Sequence, residues 1–79
     1  MQRTEIIAEY NRIAAPLLDA ALVVGSADYI ALRRETAGKL IAFLGQFDRG
    51  APLFFHNHSF PHRSDSIGER IDWLRAQVA

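Results

Sequence analysis

Both flanks of Arg49-Gly-Ala-Pro-Leu-Phe-Phe-His-Asn-His-Ser-Phe-Pro-His-Arg63 carry a helical period, and this run carries none. Whether it pairs with itself separates an all-helical domain from a mixed one. It gathers all three histidines, three of the five phenylalanines and two of the three prolines, and it contains no acidic residue. Connections approaching twenty residues are uncommon in a compact domain unless they fold in their own right or have a task. Left as a connection, the run predicts an all-α domain of three helices with a long aromatic, histidine-rich link between the second and third. The alternative is an α+β domain, with a short strand at Leu53–His56 and a hairpin over about residues 53–60 turning near Asn57. Extended backbone would point Phe54 and Phe55 in opposite directions, so both need not be core.

Upstream, Ile6, Tyr10, Ile13, Leu17 and Ala21 recur at spacings of three and four, beside Ile7, Ala14, Leu18 and Leu22. That is the stripe of a helix with one buried face, predicted from about Thr4 to Val24. Glu5, Glu9, Arg12, Pro16 and Asp19 fall on the opposite face. Pro16 there favours a kink over a break, because a bend is best tolerated on the water side. Gly25 is a stop signal, and Ser26 or Asp28 can cap a second helix running to about Leu44 or Phe47. Within it, Glu35 and Lys39 form a favourable spacing-of-four pair, and Leu40–Leu44 is apolar almost all round, as in an element packed from several sides. Ala31, Gly38 and Gly45 repeat every seven residues. A mid-helix glycine costs about 1 kcal/mol relative to alanine. Close packing of Gly38 against the first helix is the preferred explanation, and a homodimer seam through Ala31, Gly38 and Gly45 the sharper one.

Downstream, Ser66-Ile-Gly-Glu69 matches a capping box, in which serine and glutamate close reciprocal free amides. Ile67, Ile71, Leu74 and Val78, with Trp73 beside them, then predict a helix from Ile67 to about Val78.

Composition bounds the function classes. Seventy-nine residues make a single domain, 1–79, and the 49% apolar share is that of a folded chain. So short a chain buries only about 60–65% of its unfolded surface, which makes self-association or docking on a larger partner an expectation. The absence of cysteine excludes disulfides and thiolate metal sites and fits a reducing cytoplasm. Met-Gln-Arg-Thr-Glu leads into a periodic helix, not the apolar core of a signal peptide, and no apolar run approaches a membrane span. Nine basic and nine acidic residues cancel, leaving no strong positive field for duplex DNA. Catalysis has little to stand on: no Gly-x-Ser-x-Gly elbow surrounds Ser59, Ser64 or Ser66, and Gly45 and Gly50 lack a phosphate-loop pattern.

Three binding chemistries remain for the unusual run. His56 and His58, two apart, share a side of an extended chain, and with His62 they could hold a metal such as zinc with one position open. Arg49 and Arg63 could contact phosphates while Phe54, Phe55 and Phe60 stack on unpaired bases, helped by free amides at the start of the third helix. Aromatics beside arginines are also the composition of protein-interface centres, and an acid-free run suits a partner with an acidic surface. The third reading is preferred. It makes the chain a small non-catalytic protein-binding module, an adaptor or inhibitor that needs no cofactor, docking through Phe60, His58, His62, Arg63, Arg49 and Phe55. Single-stranded nucleic-acid binding and the histidine-coordinated metal site are the alternatives.

Overall fold

The computed structural model describes residues 2–55 and 63–78. Element order is α1 (Arg3–Asp19), α2 (Ala27–Leu44), β1 (Pro52–Phe55), β2 (Ser64–Ser66) and α3 (Ile67–Val78). The architecture is mostly helical, with a small antiparallel hairpin inserted between α2 and α3. Helix α2 is the middle helix and packs against both α1 and α3, while the hairpin lies against α3. One hydrophobic cluster joins them: Ile6, Tyr10, Ala14 and Leu17 from α1, Ala37, Leu40 and Leu44 from α2, Leu53 and Phe55 from β1, and Ile67, Ile71 and Leu74 from α3. Among the described residues no helix is long and apolar enough to cross a membrane.

The first helix continues without a break through Pro16, which is exposed, but it stops at Asp19 and not at Val24. The chain turns extended at Ala20, and Gly25 takes a positive φ of 88° in the reversal toward α2. The apolar period beyond Leu17 therefore covers no core. Ala21, Leu22, Val23 and Val24 are all exposed, as is Leu18. The start of α2 is set by Ser26, whose Oγ accepts from the Tyr29 N–H at 3.2 Å, and the Glu35–Lys39 pair forms on its outer face at 3.4 Å.

The preferred reading of Gly38 is overturned. Ala31, Gly38 and Gly45 are all exposed on α2 and at its end. A Cβ placed on Gly38 would meet nothing within 4 Å among the described residues. Glycine there adds backbone entropy to the unfolded chain without a close contact among the described residues. Gly38→Ala is expected to raise stability by about 1 kcal/mol, seen as a higher urea midpoint at unchanged slope.

The hairpin has an irregular register. Pro52 pairs with Ser66 and Phe55 with Ser64, so three steps on β1 face two on β2, the arithmetic of a bulge. Pro52 sits at the first position of its strand, where a missing N–H is tolerated. The observed strand starts one residue before the expected Leu53–His56, and His56 lies outside the described residues. Its partner, Ser64–Ser66, lies where the sequence predicts only the end of a connection and a cap.

Candidate functional site

Strand alternation sorts the aromatic run. Leu53 and Phe55 point inward and are buried, and Pro52 and Phe54 point outward. Phe55 is 1% exposed, with its ring centroid 5.1 Å from that of Tyr10. It is core, so its assignment to a partner-binding surface is corrected. Phe54 takes that place: it is 55% exposed, the largest apolar side chain that the described residues of the hairpin show to water.

Beside Phe54 an open groove of about 540 Å³ runs between the first turns of α1 and the outer side of the hairpin. Ile7, Pro52, Leu53 and Phe54 form its apolar walls, and Arg3, Thr4 and Asp65 stand at its edges. A smaller hollow of about 240 Å³ shares Arg3, Pro52 and Leu53 and extends the surface toward Phe47. Arg63 stacks on Phe54, its guanidinium carbon 5.1 Å from the ring centroid, and its Nε donates to Asp65 at 3.1 Å. The arrangement presents a large exposed aromatic on a strand, with an arginine guanidinium against its ring.

What holds the strand in this phase is Arg70. It interrupts the apolar stripe of α3, yet it is fully buried. Its Nη2 donates to the Phe55 carbonyl at 3.2 Å, and its guanidinium lies 4.9 Å from the Trp73 ring, 5.4 Å from Phe55 and 5.9 Å from Tyr10. Burial holds its pKa below the usual arginine range, and the neighbouring Tyr10 only partly offsets this. Burial likewise pushes Tyr10 up to about 12, against the lowering effect of Arg70. The unfolded chain loses this proton near pH 10 and the folded chain keeps it to about 12. Stability should therefore fall through that interval, by about 2–3 kcal/mol in total. Tyr10→Phe should flatten the fall, as measured by urea unfolding at pH 9, 11 and 12.

The start of α3 offers no seat for a phosphate. The Ile67 N–H donates to the Ala51 carbonyl at 3.2 Å and the Gly68 N–H to the Arg49 carbonyl at 2.9 Å. The Glu69 N–H donates to Ser66 Oγ at 3.1 Å, as the capping box predicts. The reciprocal bond shifts by one residue: the Glu69 carboxylate accepts from the Asp65 N–H at 2.8 Å. Free amides at this helix end, expected to assist nucleic-acid binding, are thus all engaged. Arg49 itself pairs with Asp72 at 2.8 Å on the α3 side and does not line the groove.

Of the predicted docking residues, the structure brings Arg63 to the groove edge. His58, Phe60 and His62 lie outside the described residues, as does His56, the remaining candidate metal ligand. No group of three histidine, cysteine or acidic side chains able to hold a metal occurs among the described residues. Arg3, Thr4 and Ile7 were missed. Ile7 was assigned to the buried stripe, and no local signal places the first turn of α1 beside β1. No protein-family model matches the chain, and no curated protein or solved structure matches it with significance.

Proposed function

We propose that this chain is a small non-catalytic protein-binding module, an adaptor or inhibitor that docks on a larger protein through the groove between α1 and the hairpin. The observation that carries the reading is Phe54: a phenylalanine more than half exposed, beside an open apolar groove and under an arginine. Aromatic anchors next to arginine are the side chains in which binding energy concentrates at interfaces. In this proposal Arg63 orders the anchor, and Phe60, His58 and His62, between the two strands in sequence, extend the docking segment.

The test compares wild type with Phe54→Ser as baits in host lysate, with captured proteins identified by mass and remeasured as purified pairs by calorimetry. Because Phe54 is half in water, the variant should stay within about 1 kcal/mol of wild-type stability. Its affinity for the purified partner should drop at least about tenfold. Equal affinity of both forms moves the interface away from the groove.

A further inference from the structure

Resting on that docking reading, we infer that the groove takes a short peptide segment of the partner in which an apolar side chain stands next to a carboxylate. The side chains that wall the groove, those of Ile7, Pro52, Leu53 and Phe54, are apolar and suit an aliphatic or aromatic side chain. The charge at the rim decides what stands beside that side chain. Two ionised residues line the groove, Arg3 and Asp65. Asp65 is already neutralised by Arg63 at 3.1 Å. The Arg3 side chain makes no hydrogen bond or ion pair among the described residues.

Arg3 is also the first residue of α1, and Thr4 beside it lines the groove as well. The positive end of the helix dipole adds to the charge of Arg3 at the same place. Glu5 is turned back to the Gln2 N–H, at 3.0 Å, and does not line the groove. The charge left without a counter-charge in the groove is therefore positive, and a carboxylate complements it. A lysine or arginine in that position of the peptide would face Arg3 directly.

The probes are two model peptides, acetyl-Ser-Glu-Leu-Phe-Glu-Ser-amide and its counterpart with glutamine for both glutamates. Each is titrated into isotope-labelled protein while the backbone amide resonances are followed. Saturable shifts are expected at Thr4, Ile7, Leu53 and Phe54. The glutamate peptide should bind about three- to fivefold more tightly, the scale of one exposed ion pair. Arg3→Gln should abolish that preference, and Arg75→Gln, exposed on α3, should preserve it. Equal affinity of the two peptides for wild type overturns the inference, and so do shifts that map elsewhere or no saturable shift at millimolar peptide. The Phe54 comparison with a purified partner is independent of these probes. A Phe54-dependent partner whose contacting segment lacks a carboxylate leaves the docking reading standing and removes this one.

Discussion

Arg70→Ala is expected to lose about 3–5 kcal/mol of folding free energy, the range for truncating a large, fully buried side chain. A chain of this length has only about 4–12 kcal/mol in total, so the loss is a large fraction of its stability. Two effects add. The cavity left among Tyr10, Phe55 and Trp73 cannot close, because each ring belongs to a different element or turn. The Phe55 carbonyl also loses the donor that ties β1 to α3, and an orphaned buried acceptor adds about 1–3 kcal/mol of desolvation.

The conservative variants separate the causes. Arg70→Met retains most of the volume, removes the burial penalty of a cation and forfeits the bond to the Phe55 carbonyl, so it should lose only about 1–2 kcal/mol. Arg70→Lys keeps the charge but replaces a stacking plane with a strongly hydrated point charge, and it should fare worse than methionine. Urea unfolding followed by Trp73 fluorescence and by far-ultraviolet circular dichroism gives the ranking. The second probe is needed because Trp73 itself touches the mutated side chain. A lysine variant as stable as wild type would mean that charge alone, and not the planar guanidinium, holds the hairpin. Since Arg70 fixes which face of β1 is buried, weakening it should also blunt any Phe54-dependent binding.

Much of this fold is legible in the sequence where burial and period coincide. Ile6, Tyr10 and Leu17, then Ile67, Ile71 and Leu74, mark the inward faces of α1 and α3 because each contacts the core at helical spacing. The same signal misleads at Ala21 to Val24, where the spacing persists but the helix has ended at Asp19 and those side chains are exposed. Ser64-Asp-Ser66 has no strand propensity. It pairs because Leu53 and Phe55 must bury and β1 needs one partner edge, a tertiary demand that local composition does not encode. The phase of β1 is similarly hidden: alternation says that Phe54 and Phe55 part company, and only the position of Tyr10 and Arg70 says which goes in. Arg70 did leave a trace. On a helical wheel it falls at the edge of the stripe formed by Ile67, Ile71 and Leu74, between Leu74 and Trp73, where a buried arginine must be paired with aromatic faces and carbonyls to be tolerated. The groove left less, because its two walls are some fifty residues apart in the chain.

Gly68→Ala should destabilise the chain by about 1–3 kcal/mol, the opposite sign from Gly38→Ala. Both glycines lie in helices, and both would gain about 1 kcal/mol from alanine if helix propensity alone decided. Gly68 is buried at the point where α3 begins against the Arg49–Ala51 turn. A Cβ there would stand 2.9 Å from the Arg49 carbonyl oxygen and 3.2 Å from the Arg49 Cβ. The carbonyl cannot retreat cheaply, since it accepts the Gly68 N–H at 2.9 Å and closes an otherwise free amide of the helix start. Moving it breaks that bond, loosens the neighbouring Ile67-to-Ala51 bond and shifts Pro52, the first residue of β1. The effect should therefore reach the groove: amide resonances of Leu53 and Phe54 should move in Gly68→Ala but stay in place in Gly38→Ala. A Gly68→Ala protein that is more stable than wild type would show that this turn yields freely, and that the hairpin takes its position from Arg70 alone.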